Sequence, residues 1–272
     1  MRRRHRKVFD YPWCIYCGGT TPATEADHVP ARVLFDRRAR PKGLEFPSCK
    51  PCNEGVRRAE LVAALISRAY AEPGAPAVEG EFGDLLKQVH RRVPGLLQEM
   101  QAPRGKSKLL ARRLGTAEEA FLRLGGPIAL NHLQAFAAKL GFAFHYHLKR
   151  SPVPVGGAVS VLIRSNVDML QGRIPQEIFD MLGAPETLRQ GRFNADQQFR
   201  YKAVAAEDGN MTMAFASLRR SFAIITFAAD DPAKLTDSGS RHDRLFKPGD
   251  LALNLLPSAF PRISARFRAE WS

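Results

Sequence analysis

The chain has 272 residues, of which 44% are hydrophobic and 25% charged, with no long uninterrupted apolar run. That balance is a globular protein's: it excludes a wholly disordered chain and argues against a membrane-spanning helix. Lys and Arg number 41 against 27 Asp and Glu, a net charge of +14, and twelve of those fourteen excess charges fall within residues 1–150. A phosphodiester backbone is the natural partner of such a surface, because neutralising phosphates releases condensed counterions.

The chain opens on a basic arm, Met1-Arg2-Arg3-Arg4-His5-Arg6-Lys7. Val8-Phe9-Asp10-Tyr11-Pro12 follows where a signal peptide needs an apolar stretch of about 7–15 residues. The expected location is therefore the cytoplasm, where thiols stay reduced. All four cysteines lie in the first fifth of the chain, as Cys14-Ile15-Tyr16-Cys17 and Cys49-Lys50-Pro51-Cys52, with 31 residues between the pairs. Two residues between thiolates let both sulfurs of a pair face one ion, and two pairs complete a tetrahedron around zinc. Gly18-Gly19 suits the tight turn after the first pair. Two disulfides are disfavoured in a reducing compartment, and a redox CxxC needs no second copy. A zinc with four protein ligands has no open position, so it is a staple and not a catalyst.

Between the pairs stands Asp27-His28-Val29-Pro30, and Asn53 directly follows Cys52. The staple would draw these positions together. Oxygen ligands from Asp27 and Asn53 suit Mg²⁺ or a similar hard cation, and a neutral His28 could take a proton from water attacking phosphorus. Taken alone, Asp27-His28 also reads as a turn with a surface histidine. The string Cys14-x-x-Cys17…Asp27-His28-Val29-Pro30…Cys49-x-x-Cys52-Asn53, over roughly residues 8–62, resembles the zinc-stapled branch of the HNH endonucleases, whose active site is a ββα-metal finger.

The resemblance implies that Cys14, Cys17, Cys49 and Cys52 bind structural zinc. Asp27 and Asn53 would be ligands of a catalytic divalent metal, and His28 the general base. It also implies a metal bridging the scissile phosphate and the leaving 3′ oxygen, with 5′-phosphate and 3′-hydroxyl products. Arg32, Arg37, Arg38, Arg40 and Lys42, on the loop between the base and the second cysteine pair, are candidate phosphate contacts, each equally readable as part of a solvated basic loop. One position departs from the family. Many members carry a central Asn before the second pair that braces the loop; here it is Leu44, and Glu45, Asp36 or backbone groups are the alternatives for that role.

Glu54–Tyr70 reads as a helix, the α of the finger, with Leu61, Ala64, Leu65 and Ala69 at helical spacing. Pro73-Gly74-Ala75-Pro76 breaks the pattern and marks a boundary between residues 1–72, the zinc module with its arm, and residues 73–272, an α+β companion region. Residues 81–101 are helical with an interruption at Pro94-Gly95, and Arg104–Lys108 is a basic connector. Thr116 and Glu119 form a candidate capping box, and a helix follows Gly125-Gly126-Pro127 through about residue 147. That stretch, Ile128–Leu148, is apolar but interrupted by Asn131, His132, Gln134 and Lys139, as in a buried amphipathic helix.

After Pro152-Val153-Pro154 the period becomes that of strands: Ala158–Arg164, Phe199–Ala206, Met211–Leu218 and Phe222–Phe227, with Glu207-Asp208-Gly209-Asn210 as a hairpin turn. The expected fold is α+β: a zinc-stapled ββα module, a helical region and a small antiparallel sheet packed on it. His145 and His147 read as core or surface histidines, because no cysteine or carboxylate cluster accompanies them. No second catalytic motif is present. The expected function is metal-dependent cleavage of nucleic acid, DNA before RNA, with no membrane partner. The rival is a non-catalytic zinc finger that binds nucleic acid, and a third reading is a zinc module for protein partners.

Overall fold

The computed structural model describes residues 10–69, 80–101, 122–236 and 244–253. The N-terminal arm, the Pro73–Pro76 boundary, the 104–108 connector and the Thr116–Glu119 capping box lie outside the described residues.

The first unit begins with a 3-10 turn at Ile15–Cys17, closed by Gly18 and Gly19 at φ +66° and +77°, the left-handed geometry that glycine adopts without strain. Strands β1 (Glu25–His28) and β2 (Glu45–Ser48) pair antiparallel, with His28 opposite Glu45 and Glu25 opposite Ser48. Helix α1 (Lys50–Gly55) follows at once, and α2 (Arg57–Ser67) continues from it after a break at Val56. The helix therefore starts four residues before the position that apolar spacing suggests. Cys49 is extended and serves as N-cap, and Pro51 in the first turn loses no bond that an intact helix would make.

Helix α3 (Glu81–Arg92) and α4 (Leu96–Met100) are separated at Pro94-Gly95, as the sequence predicts. The longest element is α5, Pro127–Lys149. It is buried almost all round, from Asn131 to Tyr146, because it lies between two layers. On one side it meets α2 and the Ile15–Cys17 turn; on the other it crosses a sheet. Gly141 makes that crossing close: a Cβ there would stand 2.5 Å from Val159 Cγ1 and 3.2 Å from Thr226 Cβ.

The sheet is antiparallel throughout and has six strands in the order β10-β3-β9-β8-β7-β4. Its long members are β3 (Ala158–Ser165), β7 (Phe199–Ala205), β8 (Met211–Leu218) and β9 (Phe222–Ala229), close to the four strands read from the sequence. Between β3 and β7 run α6 (Asn166–Leu170), α7 (Gln176–Leu182), β4 (Glu186–Thr187) and the small pair β5 (Arg189–Gln190) and β6 (Phe193–Asn194). After β9 come α8 (Ala233–Thr236) and β10 (Arg244–Phe246). Alternation sorts the faces. Ala214, Ala216, Leu218 and Ile224 join the core around α5, while Met213, Phe215, Ala223 and Ile225 pack under α7 with Phe179.

One hydrophobic core runs from Cys14 through α2, α5 and the inner face of the sheet to Leu251. The last described segment, a 3-10 turn at Asp250–Leu253, returns to the N-terminal unit that carries the cysteines. Gly249 N donates to Tyr16 O at 2.8 Å, and a Cβ on Gly55 would overlap the Leu251 carbonyl. No helix among the described residues is long and apolar enough to cross a membrane.

Candidate metal centre and active site

The four cysteines, 31 residues apart as pairs in the chain, meet in one buried cluster whose sulfurs all lie within 4.8 Å of one another. A tetrahedron of ~2.3 Å zinc–sulfur bonds has sulfur separations of about 3.8 Å, so the donor set fits zinc. Among the described residues this is the one group of three or more His, Cys, Asp or Glu side chains that could hold a metal ion. The thiols perturb one another. A hydrogen bond with Cys14, and another with Cys52, pulls the Cys17 thiol far down; the Cys17 contact pushes Cys14 up to about 12, and contacts with Cys14 and then Cys17 push Cys52 higher still. Only a cation lets all four sulfurs ionise together, and that preference couples metal binding to folding.

The resemblance's remaining residues are placed as follows. His28 ends β1 and is half-buried. Arg32 Nη2 stands 3.0 Å from its Nε2, and since a guanidinium only donates, Nε2 is the acceptor. Asn53 sits in α1 behind β1, where its Nδ2 donates to Glu25 Oε2 at 2.6 Å. Asp27 faces the interior. It is 4% exposed, and both its oxygens are engaged: Oδ2 accepts from Tyr16 Oη at 2.6 Å and Oδ1 from Lys139 Nζ at 2.7 Å. Lys139, in the middle of α5 and 1% exposed, also donates to Glu60 Oε1 of α2.

These four side chains form a buried polar cluster joining the hairpin, α2 and α5. Burial alone would push the Lys139 ammonium down, but Asp27 and Glu60 more than reverse this and hold it above its ordinary range. Burial raises the Glu60 carboxyl, and burial followed by the Asp27 charge raises the Tyr16 hydroxyl well above its usual value. The cluster has consequences for the implied catalytic metal. Asp27 is spent on an ammonium and a phenol, and Asn53 turns its amide to Glu25. In this arrangement the pair does not fit a hard divalent cation, which needs open oxygen ligands and would face the Lys139 charge.

The loop between β1 and β2 carries the basic residues. Arg32, Arg37, Arg38 and Lys42 are exposed, whereas Arg40 is half-buried. Arg37 and Arg38 take left-handed backbone geometry, φ +52° and +54°. The companion region pins this loop. Gln198 accepts from Asp36 N at 2.8 Å, Glu81 from Arg37 N at 2.7 Å and Gln190 from Lys42 N at 3.2 Å. Arg219 donates to Asp36 Oδ1 at 2.5 Å, and Arg68 stands 3.6 Å from the same oxygen. Asp36 thus docks the loop on the sheet. Burial pushes the Arg40 guanidinium down to about 10, so it stays charged at neutral pH.

Residues that sequence reasoning missed are Tyr16, Glu25, Glu60 and Lys139. A signal existed for one of them: a lysine inside an otherwise apolar helix needs a buried counter-charge. No protein-family model, no curated protein and no solved structure matches this chain.

Proposed function

We propose that the chain is an HNH-type nuclease that cleaves phosphodiester bonds in nucleic acid, DNA before RNA. The observation that carries this reading is the hairpin-then-helix unit around the cysteine cluster, with His28 at the end of β1 and Asn53 on the helix behind it. His28 would act as the base toward water, and zinc on the four cysteines would hold the hairpin to α1. Arg32 occupies the His28 Nε2 and must turn away before that nitrogen can take a proton; turned toward a phosphate, it would supply positive charge beside the base. Arg37, Arg38 and Lys42 extend the cationic edge along which a backbone would track.

The second reading, a zinc module that binds nucleic acid without cutting it, is favoured by the burial of Asp27 against Lys139. Plasmid nicking separates the two, with wild type and His28→Ala assayed in Mg²⁺, Mn²⁺, Ni²⁺ and EDTA. Cleavage by wild type alone, stopped by EDTA, supports the metal-dependent nuclease and requires Asp27 or another oxygen donor to open to the ion. Absence of cleavage in every metal, together with salt-sensitive binding, selects the binding module. Binding indifferent to salt removes the phosphate partner and leaves a protein partner.

A further inference from the structure

Arg40 sits in the β1–β2 loop, twelve residues after His28, among arginines that face solvent. Its guanidinium is directed inward. Nε donates to Pro30 O at 2.7 Å and Nη1 to Pro41 O at 2.9 Å. Nη2 lies 2.8 Å from Val29 O, 2.6 Å from Gly43 O and 3.2 Å from Leu44 O. Nε and both Nη2 hydrogens are thus committed to main-chain carbonyls, the two Nη2 hydrogens being shared among three acceptors, and Nη1 gives one of its two to Pro41 O. The guanidinium is spent on the loop's own backbone before it is offered to a phosphate.

The five acceptors are not scattered. Val29 and Pro30 follow His28 directly; Gly43 and Leu44 directly precede β2. One side chain therefore ties the exit of β1 to the entrance of β2. The same closure is made once by the main chain, where Val29 N donates to Leu44 O at 2.9 Å. Gly43 and Leu44 have φ of +111° and +48°, and Leu44 holds this geometry although its Cβ disfavours it. Both residues present their carbonyls to the Arg40 fork.

We propose that Arg40 is a positioning residue for His28: it locks the two ends of the β1–β2 loop and thereby fixes where the imidazole stands. This rests on the nuclease reading for its effect on turnover, and on the hydrogen-bond pattern alone for its effect on the loop. A lysine is a poor substitute, since an ammonium has three donors on a flexible stem and no planar fork.

The test uses the full zinc-loaded chain as wild type, Arg40→Ala, Arg40→Lys and the double variant Arg37→Ala/Arg38→Ala. Cleavage of a labelled DNA duplex, the salt dependence of its binding and amide hydrogen exchange are measured for each. Arg40→Ala is expected to lose roughly tenfold or more in kcat. Its KM should stay within about twofold and its salt slope unchanged, whereas the double variant raises KM and flattens the slope. The Val29 amide should exchange roughly tenfold faster in Arg40→Ala while zinc content is retained. A raised KM, with a salt slope lower by about one and kcat kept, would make Arg40 a phosphate contact and overturn the proposal.

If wild type cleaves nothing, the nuclease reading falls separately, and Val29 exchange decides whether Arg40 holds the loop. If Arg40→Ala loses zinc, Arg40→Lys decides instead. A lysine variant identical to wild type in kcat and in Val29 exchange overturns the positioning role, and one impaired in either supports it.

Discussion

Asp27 shows how much a single carboxylate can differ from its place in a motif. Sequence order puts it beside His28, but the fold gives it to Lys139 and Tyr16. Removing one member of a buried ion pair leaves the other uncompensated, which costs about 3–5 kcal/mol. Asp27→Asn and Lys139→Met should each lose stability on that scale in urea unfolding, with zinc still bound; a loss below about 1 kcal/mol would place Asp27 outside the load of the fold. The four-cysteine cluster was legible because two CxxC pairs form a compact pattern in sequence. The Lys139 partnership was not, since Lys139 stands 112 residues from Asp27 and 79 from Glu60. Only the packing of α5 brings them together. The inward direction of Arg40 was not legible for a related reason: residue type and a basic neighbourhood give no direction to a side chain, and its acceptors are main-chain groups that every sequence has.

Among the elements, α5 carries the most constraint. Alanine normally gains about 1 kcal/mol over glycine inside a helix. Gly141→Ala should nevertheless lower stability by about 1–3 kcal/mol, because the new methyl overlaps Val159 and the helix must withdraw from the sheet. Thermal melting checks this, and a raised Tm would mean that the helix can shift without loss. Cys49→Ser should act on α1 in two ways, removing one of the four metal donors and altering the N-cap. Melting at a markedly lower temperature is expected, and an unchanged curve would remove the zinc staple. The central strands β3, β7, β8 and β9 were readable because their long alternating or apolar runs sit between turn residues. β4 and β10, of two and three residues, are too short to show a period, so the sheet was expected to be smaller than it is.

At the scale of the whole molecule, acid sensitivity follows from two histidines on α5. Burial pushes His132 and His145 down to about 4, and His145 Nδ1 lies 3.1 Å from Thr212 Oγ1. Well above the ordinary histidine pKa of about 6.5, folded and unfolded chains are both neutral here and nothing is lost. As pH falls below that value the unfolded chain takes up protons that the folded chain refuses until near pH 4, so stability declines across this window. Each histidine should cost about 2 kcal/mol by pH 5. Glu60, raised by burial, works in the opposite direction, so the informative quantity is the difference between wild type and His145→Gln. That difference should change between pH 7 and pH 5 in urea unfolding; a constant difference would mean that His145 titrates normally. The core that runs unbroken from the cysteines to the inner face of the sheet predicts one further behaviour: chelating zinc should lower the melting temperature of helices and sheet together, in one transition.

The return of the 3-10 turn at Asp250–Leu253 to the N-terminal unit bears on how the chain is made. Residues 14–55 are synthesised well before residues 249–251, yet part of their surface is covered by Gly249 on Tyr16 and Leu251 on Gly55. Lys139 reaches Asp27 only after half of the chain has been translated. A nascent chain can gather its four sulfurs around a metal early, but the hairpin keeps a buried carboxylate without its ammonium until Lys139 has been made, and α1 an open flank until residues 249–251 have been made. A product truncated before residue 249 would carry the four cysteines without the surroundings that shape the hairpin.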